Sequence, residues 1–291
     1  MNYFLSSLGT LSFWKYALFS IESGRRVLAA LGTLFLLLEI LDFFGIYPRE
    51  KHTLGTLAAL IVLSGIYTVI TRRPVTNVRY KVPSKDLVYE VRIGDLLDCK
   101  GEVVISTNTT FDTDVSSGLI AANSVQGQFT LRFFDGNLHD LDRQIKAALK
   151  DLPYESAISP GNKKRYPIGT VAKIRAHGQN FYFFAMAELN EHGTAQAPAN
   201  ILDQPLDKLW AYIAKQGELG DLVLPVIGTG RGRIDLPRRK IIEMIAQSFA
   251  DAARIKKFAN KLTIVISPHD ARTYGINLFQ IRDYLAQNLY P

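Results

Sequence analysis

The sequence is poor in cysteine and lacks several common functional patterns. Cys99 is the one cysteine among 291 residues, which excludes an intramolecular disulfide framework and a multi-cysteine metal site. Neither the phosphate-loop pattern GxxxxGKS/T nor the zinc-binding pattern HExxH occurs, and there is no well-placed GxGxxG. We therefore predict no metal site, and we disfavour P-loop binding of nucleoside triphosphates and the Rossmann mode of dinucleotide binding.

The positive charge is not concentrated in one part of the chain. Residues 1–73 contain seven of the 34 Lys and Arg residues and four of the 27 Asp and Glu residues, and residues 74–291 contain the other 27 and 23. The excess of +7 is thus divided as +3 and +4, so we expect no nucleic-acid partner. With 47% hydrophobic residues, the chain is also too apolar for intrinsic disorder.

Two long apolar runs lie in the first quarter of the chain. They span Val27–Ile46 and Thr53–Ile70, and each is about as long as a bilayer-spanning helix, roughly 17–25 residues. The turn YPREKH between them contains Pro48, which ends the first helix. The pattern predicts a transmembrane helical hairpin over residues 23–73. The alternative is a pair of buried core helices in a soluble protein.

Basic residues flank the two ends of this hairpin. Arg25 and Arg26 precede the first run, and Arg72 and Arg73 follow the second. The positive-inside rule then places both termini in the cytoplasm. The aromatic-rich residues 1–22 are predicted either to form an interfacial helix or to cover the cytoplasmic end of the hairpin.

Two carboxylates, Glu39 and Asp42, interrupt the first apolar run. They are three residues apart and so lie on one face of a helix, and a carboxylate at the centre of the membrane costs about 3 kcal/mol. Two interpretations are open. In the first, both side chains lie near the lipid headgroups at the far side of the membrane. In the second, both face a neighbouring helix or a water-filled path in an oligomer.

After residue 85 the pattern changes to alternating strands and helices. Strands are predicted near 87–91, 101–108, 170–175, 181–187, 221–227 and 262–267, and helices near 138–150, 199–216, 237–258 and 277–289. This alternation predicts an α/β fold, a three-layer sandwich with a mixed sheet over residues 86–291. Residues 74–85 are predicted to be the linker that joins it to the hairpin.

Two glycine-containing loops follow predicted strands, which is where α/β sheets bind ligands. Ser117–Gly118 is predicted to open an apolar helix after the strand VVISTN, and IGTGRGR at Ile227–Arg233 follows the strand DLVLPV. Backbone N–H groups in such loops bind phosphate. Arg231 and Arg233 either add charge-assisted contacts or are solvated surface charges. The two loops together predict a ligand that contains phosphate.

Two polar stretches give weaker signals. Lys163–Arg165 is a run of positive charge that we predict to be a solvated loop. Asn190–Gln196 is predicted to be a loop at the edge of the site, over the terminal group of the ligand. Glu188 and His192 would support acid–base chemistry only if they meet in space.

The motifs IGD, VVISTN, SSGLI and LPVIGTG, in this order, resemble those of macro domains, which bind ADP-ribose. The resemblance covers roughly residues 86–291. It implies that Asp95 holds the adenine amino group, that Asn108 faces the distal ribose, and that the two glycine loops cradle the diphosphate. On sequence alone, Asp95 and Asn108 are also explained as turn-stabilising residues at strand ends. The predicted ligand-binding residues are Asp95, Leu96, Thr107, Asn108, Ser117, Gly118, Leu119, Ile120, Gly228, Thr229, Gly230, Arg231, Gly232 and Arg233.

A hairpin joined to a macro domain with the motifs STNTTFDT, SSGLIAANSVQGQF and YPIGT resembles the membrane-anchored ThsA effectors of type II Thoeris anti-phage defence. The resemblance implies that a TIR-domain enzyme produces histidine–ADP-ribose on infection. It further implies that binding of this ADP-ribose derivative drives homo-oligomer assembly and membrane disruption, which arrests the infected cell. No cofactor other than this ligand is expected.

The sequence departs from hydrolytic macro domains at two places. The paired-Asn run is reduced to Ser106-Thr107-Asn108, and the first phosphate loop retains only Gly118. We therefore predict binding without catalysis and no catalytic residue. Two alternatives remain open: a membrane-tethered ADP-ribosyl hydrolase, and a reader that recruits ADP-ribosylated partners without harming the membrane.

Overall fold

The computed structural model describes residues 7–72, 76–82, 86–135, 137–196, 202–228 and 236–289. The chain divides into two compact units, Met1–Val75 and Thr76–Pro291. Each unit is described by itself below.

The N-terminal unit is helical. Its elements are α1 (Leu11–Leu18), α2 (Ile21–Phe43), a short 3-10 turn (Arg49–Lys51) and α3 (Leu54–Thr71). Local sequence explains where the long helices begin. The Ser20 hydroxyl accepts a hydrogen bond from the backbone N–H of Ser23, and Thr53 and Thr56 form a capping box at the start of α3. Helices α2 and α3 pack against each other across the short connection.

Both carboxylates of α2 pair with one arginine of the connection. Arg49 Nη2 lies 2.6 Å from Glu39 Oε2, and Arg49 Nε lies 3.0 Å from Asp42 Oδ2. The backbone N–H of Arg49 also donates to Asp42 Oδ1 at 2.9 Å. The carboxylates therefore lie at the turn end of α2, and the Arg49 guanidinium gives both side chains a partner.

Helix α1 packs on both α2 and α3. Phe13 and Ala17 are fully buried there, the Ser23 hydroxyl donates to the carbonyl of Tyr16 at 2.9 Å, and the Arg72 guanidinium lies 4.0 Å from the centre of the Tyr16 ring. The segment thus covers the end of the helix pair opposite the turn. Residues 1–6 of the predicted N-terminal segment lie outside the described residues.

Among the described helices, α3 alone is long and apolar enough to cross a membrane, with a mean hydropathy of 2.0 and only 11% of its residues buried. Length and composition of one helix are weak support for a membrane span. Helix α2 is longer but contains charged residues near both ends, so the two-span prediction is not confirmed. These residues are Glu22, Arg25, Arg26, Glu39 and Asp42.

The C-terminal unit is built on a mixed sheet. Its strands are β1 (Asn77–Lys81), β2 (Val88–Ile93), β3 (Glu102–Asn108), β4 (Glu155–Ser156), β5 (Lys164–Arg165), β6 (Val171–Ala176), β7 (Gln179–Leu189), β8 (Ala195–Gln196), β9 (Asp221–Pro225) and β10 (Lys261–Ile266). The spatial order of the main sheet is β1-β2-β10-β9-β3-β7-β6, and β8 pairs with the end of β7. The five central strands β2, β10, β9, β3 and β7 are parallel. Strands β1, β6 and β8 pair antiparallel with their neighbours, and β4 and β5 form a separate hairpin.

Helices cover both faces of the main sheet. They are α4 (Val125–Phe134), α5 (Leu138–Ala148), α6 (Asp203–Gln216), α7 (Arg238–Ile255), α8 (Pro268–Thr273) and α9 (Leu278–Asn288). Adjacent residues of β7 show the two faces: the Phe181 ring packs on Phe129 of α4, whereas the Tyr182 ring meets Tyr212 of α6. Since successive strand residues point to opposite faces, α4 and α6 lie on opposite sides. The predicted α/β sandwich with a mixed sheet is confirmed.

Two local predictions were wrong. Ser117–Gly118 does not open a helix: residues 117–120 form turns, and α4 begins at Val125, where the Ser124 hydroxyl caps the helix by accepting from the N–H of Gly127 at 3.0 Å. Residues 74–85, predicted as a linker, contain strand β1, whose pairing with β2 makes it the edge of the sheet. The sequence NVRYK is too short and too charged to signal a strand locally.

Candidate functional site

The parallel strands end together at one edge of the sheet. Strand β2 ends at Ile93, β10 at Ile266, β9 at Pro225, β3 at Asn108 and β7 at Leu189. The backbone N–H of Gly94 donates to the carbonyl of Ile266 at 3.0 Å, which ties the end of β2 to the end of β10. This carboxyl edge is where open α/β sheets bind ligands, and the predicted site residues Asp95, Asn108 and Gly228 lie at or just after the ends of β2, β3 and β9.

Asp95 stands at the end of β2 in a tight turn. Its Oδ1 accepts from the backbone N–H of Leu97 at 2.9 Å, and its side chain is 47% exposed. Arg132 approaches Asp95 Oδ2 at 3.9 Å and pairs more closely with Asp98. Asp95 therefore stabilises the turn with one oxygen and keeps the other accessible. Leu96 is 5% exposed and packs in the core, so it offers a ligand only its backbone.

Cys99 follows this turn and is buried. Its thiol donates to the carbonyl of Asp95 at 3.4 Å. Burial raises the pKa of the Cys99 thiol, and nearby carboxylates add to this effect. The thiol is thus protonated and unreactive at neutral pH.

The residues after β3 form a buried hydrogen-bond network, which we call the Asp112 network: Asn108, Thr110, Asp112, Gln126 and Asn162. Asp112 Oδ2 accepts from Asn108 Nδ2 at 3.1 Å and from the Thr110 hydroxyl at 2.5 Å. Asp112 Oδ1 accepts from the backbone N–H of Asn162 at 2.7 Å. Asp112 is 5% exposed. Its buried carboxylate therefore holds Asn108, Thr110 and Asn162 together by hydrogen bonds.

The Asn108 side chain has hydrogen-bond partners within the loop that the sequence did not indicate. Its Oδ1 accepts from both the Thr110 hydroxyl and the backbone N–H of Asp112, at 3.1 Å each. One hydrogen of its amide is used by Asp112. The oxygen is therefore occupied within the loop, and contact with a ligand would use the other amide hydrogen.

Two glycines let neighbouring loops approach this network. A Cβ on Gly161 would lie 2.3 Å from Asp112 Oδ1, and the φ of Gly161 is +94°. A Cβ on Gly193 would lie 2.9 Å from Leu119 Cδ2 and 3.2 Å from Pro160 Cγ. The loop at 157–163 and the turn at 190–194 are therefore in contact with the segment after β3. Of the stretch Asn190–Gln196, predicted as a loop, Ala195–Gln196 forms strand β8.

The first predicted phosphate loop, Ser117–Ile120, runs along the surface beside this network. Ser117 is exposed, and its hydroxyl donates to the carbonyl of Asp114. Leu119 is half-buried, and Ile120 is 6% exposed. Hydrogen bonds from the Ser116 hydroxyl and backbone N–H lower the pKa of Asp114, which keeps a negative charge at this exposed turn.

Of the second predicted phosphate loop, Gly228 is described and follows β9 with a φ of +75°. The predicted residues Thr229, Gly230, Arg231, Gly232 and Arg233 lie outside the described residues. Beyond them, the Arg238 guanidinium at the start of α7 lies 3.8 Å from the centre of the Tyr274 ring, which follows α8. Arg238 and Tyr274 lie toward the β10 side of the carboxyl edge, and the sequence analysis did not predict their contact.

Thr107 and Thr109 place hydroxyl groups beside Asn108. Both are buried, at 4% and 0% exposed, and the described residues offer neither hydroxyl a hydrogen-bond partner. Within the described ranges there is also no group of three or more His, Cys, Asp or Glu side chains that could hold a metal ion. Glu188 lies in β7, and His192 lies in the turn after it, where the backbone N–H of His192 donates to Asn190 Oδ1.

A model of the family described as Thoeris protein ThsA, Macro domain, matches residues 89–267. The chain belongs to this ThsA macro-domain family. The match runs from β2 to the end of β10 and so includes all five parallel strands. The C-terminal unit is therefore a macro domain of the ThsA type, which is consistent with ADP-ribose binding in Thoeris defence.

Individual relatives agree with this assignment. The Thoeris protein ThsA of Bacillus amyloliquefaciens (strain Y2) is 22% identical over 204 residues, which are 67% of this chain and 67% of that protein. A point mutant of the Oceanobacillus iheyensis macrodomain has a similar structure, with a TM-score of 0.51 and 14% identity over 73% of this chain and 99% of that chain. At this identity the second likeness concerns the fold alone.

The Asp112 network is the part of the macro-domain edge that sequence reasoning missed. Its hydrogen bonds join residues up to 52 positions apart along the chain, so no local pattern joins them. One signal was present: an Asp four residues after a strand-ending Asn, in the run STNTTFD, is the spacing that allows the loop to fold back on itself.

Proposed function

We propose that the chain is a ligand-gated membrane effector of Thoeris defence whose macro domain binds an ADP-ribose-type signalling nucleotide. The observation that carries the proposal is the ThsA family match across residues 89–267, combined with the convergence of Asp95, Asn108 and Gly228 on the carboxyl edge of the sheet. The ligand expected from the resemblance is histidine–ADP-ribose, produced by a TIR-domain partner.

Each part of the nucleotide has a proposed contact on this edge. Asp95 Oδ2, which Arg132 approaches at 3.9 Å, is proposed to accept from the adenine amino group. The backbone N–H groups of Ser117–Ile120 and of the loop that begins at Gly228 are proposed to bind the diphosphate, since such N–H groups are anion sites. Asn108 is proposed to reach the distal ribose with its remaining amide hydrogen.

We propose binding rather than hydrolysis. A hydrolase would need a group that positions or activates water near the distal ribose. Asn108, the residue that we propose to face this ribose, has its side-chain oxygen occupied by hydrogen bonds from Thr110 and Asp112. Incubation of the protein with histidine–ADP-ribose is expected to return the nucleotide intact. Release of free ADP-ribose that is lost in Asn108→Ala would instead support the hydrolase.

The helical unit is proposed to anchor the protein in the inner membrane, with both termini and the macro domain in the cytoplasm. Helices α2 and α3 expose large apolar side chains to their surroundings, an arrangement typical of lipid contact. Ligand binding can promote homo-oligomer assembly only if the assembled state binds the nucleotide more tightly. These exposed side chains include Leu28, Phe35, Leu36, Leu57, Val62 and Ile66.

Calorimetry on the full chain in detergent tests the binding site. Wild type is expected to bind histidine–ADP-ribose, and Asp95→Ala is expected to weaken binding about tenfold or more, since a hydrogen bond to a charged group contributes about 1.5–3 kcal/mol. Asp95→Asn retains a side-chain oxygen for the turn and separates lost folding from lost recognition. Asp98→Ala is the matched control, because Asp98 shares Arg132 with Asp95. Equal affinities in all four proteins would contradict the assignment of Asp95.

Dye release from proteoliposomes tests the membrane step. Addition of histidine–ADP-ribose is expected to release dye from vesicles that contain the wild-type protein, and not from vesicles that contain Asp95→Ala. Binding by the wild type without dye release would favour the reader that recruits partners and leaves the membrane intact.

A further inference from the structure

The N-terminal unit contains a buried cation, Arg72, which directly follows α3 and is 8% exposed. Among the described residues, its Nε has no hydrogen-bond partner. The three carboxylates of α2 have other partners, since Glu22 pairs with Arg26 and the other two pair with Arg49. A buried charge is costly unless it is paired and hydrogen-bonded.

The Tyr16 ring compensates this charge in part. The Arg72 guanidinium lies 4.0 Å from the centre of the ring, in a cation–π contact. A ring covers one face of a guanidinium, but the five N–H donors point outward in its plane and need acceptors. Arginine also keeps its proton at any physiological pH, so loss of the proton cannot remove the charge. An anion at the edge of this guanidinium would supply the missing acceptors.

Arg72 lies at the end of the helix pair that is opposite the turn. Helix α1 is held there by hydrogen bonds to the carbonyl of Tyr16, which accepts from the Ser23 hydroxyl at 2.9 Å and from the Ser20 hydroxyl at 3.2 Å. In a bilayer, lipid headgroups surround the ends of the spanning helices. On the proposed topology, the phosphate groups of the cytoplasmic leaflet are therefore at the level of Arg72.

Helix α1 and the residue after it have an apolar exposed surface beside this cation. Leu11 is 65% exposed, Trp14 is 38% exposed and Phe19 is 82% exposed. The indole N–H of Trp14 donates to the carbonyl of Leu8 at 2.9 Å, which fixes its ring. Exposed apolar side chains next to a cation are typical of a helix that lies in the membrane interface. This surface fits the acyl chains of a lipid, which a free anion lacks.

The surrounding charges favour a lipid with net negative charge. Lys15, Arg25 and Arg26 are also at this end, and Glu22 is the one acidic residue in the segment 7–26. Basic residues near the membrane surface attract anionic lipids, and they repel the cationic part of a zwitterionic headgroup.

We propose that Arg72 and α1 form a binding site for the phosphate group of an anionic phospholipid at the cytoplasmic end of the helix pair. Arg72 donates from the edge of its guanidinium to the phosphate oxygens, a geometry that suits a planar fork of N–H groups. The acyl chains pack against the apolar surface of α1. The inference rests on the proposed membrane anchor and adds the class of lipid that the anchor selects.

Quenching of Trp14 by brominated lipids tests the site on the full chain in phosphatidylcholine vesicles. The other tryptophan, Trp210, is 1% exposed inside the macro domain and so cannot contact acyl chains. Brominated phosphatidylglycerol is expected to quench Trp14 at an approximately tenfold lower fraction of the lipid than brominated phosphatidylcholine. In Arg72→Gln this preference is expected to be lost. Arg72→Lys keeps the charge without the fork, so its preference is expected to lie between the two.

Arg25→Gln is the matched control, because it removes the same charge from an exposed position at the same end. The comparison is made in about 0.5 M NaCl, which screens exposed charges far more than buried ones. Arg25→Gln is then expected to keep the preference of the wild type. Equal losses in Arg25→Gln and Arg72→Gln would mean general attraction to the surface and would overturn the site.

Three further results separate the site from the anchor. Flotation with the vesicles and circular dichroism report insertion and folding of each variant, and Arg72→Lys decides the test if Arg72→Gln does not fold. A wild type that floats but is quenched equally by both lipids, or that loses its preference when inorganic phosphate is added, overturns the lipid site and leaves the anchor standing. A wild type that does not float overturns both.

Discussion

Asp112→Ala is expected to lower the free energy of unfolding of the macro domain by about 3 kcal/mol, because it leaves buried donors without an acceptor. The Asn108 amide and the backbone N–H of Asn162 both lose their partner, at 3.1 Å and 2.7 Å in the native structure. In a unit of this size the change corresponds to a fall in Tm of roughly 6–12 °C. Scanning calorimetry of the full chain in detergent measures it.

The same substitution is expected to abolish nucleotide binding. Phe111 adopts a φ of 51°, a left-handed conformation that is costly for a bulky residue. Its carbonyl accepts from the Asn162 amide, and Asp112 accepts from the Asn162 backbone. Without the Asp112 carboxylate the loop is free to relax, and Asn108 leaves the carboxyl edge.

Asp114→Ala is the control for this experiment. Asp114 lies two residues further along the same loop, but its side chain is exposed and accepts hydrogen bonds from its own turn, at Ser116. We expect its Tm to equal that of the wild type. If Asp112→Ala melted at the same temperature as Asp114→Ala, the Asp112 network would not hold the loop together.

Arg49→Ala is expected to impair insertion of the helix pair on the proposed topology. Arg49 is the partner of both Glu39 and Asp42, and a carboxylate costs about 2.5–3.5 kcal/mol at the membrane centre and less toward the headgroups. Leaving two carboxylates unpaired at the end of α2 should reduce the fraction of chains whose turn crosses the membrane by about tenfold.

A cysteine placed in the turn measures this effect. Glu50→Cys is labelled in spheroplasts with a membrane-impermeant maleimide, and the native Cys99 remains in place because its buried thiol reacts slowly. Labelling should fall in Arg49→Ala. It should recover when Glu39→Gln and Asp42→Asn are added, since both carboxylates are then neutral.

Lys51→Ala is the matched control, because it removes the same charge from the turn without breaking either ion pair. It should leave labelling unchanged. Equal loss in Lys51→Ala and Arg49→Ala would mean that the net charge of the turn, and not the pairing of the carboxylates, governs insertion.

Much of the macro domain could be predicted from local patterns. The strand at 101–108 is a continuous apolar run, and β9 and β10 have the same character. These strands are buried on both faces of a parallel sheet, where every position selects an apolar residue. The edge strand β1 escaped prediction because it contains Arg79 and Lys81 and is defined by its pairing with β2.

Part of the candidate site could also be predicted from local patterns. Asp95, Asn108 and Gly228 stand at or just after the ends of buried strands, so strand prediction alone places them on the carboxyl edge. Asn108 was predicted as a ligand contact, but the sequence did not indicate that its side-chain oxygen accepts hydrogen bonds from Thr110 and Asp112. The side chain of a residue can be predicted to face an edge before its hydrogen-bond partners are known.

The sequence alone was enough to predict the buried strands of the sheet, most of the long helices and the two apolar runs, because each depends on the periodicity of neighbouring residues. Only the tertiary structure decided that Asp112 meets Asn162, that Tyr166 meets Thr109, and that Arg49 meets Glu39. The first two contacts follow from β3 lying next to β7 in the sheet, and the third follows from α2 and α3 folding back on each other. Such contacts join residues that are distant along the chain, and their energies depend on which elements become neighbours.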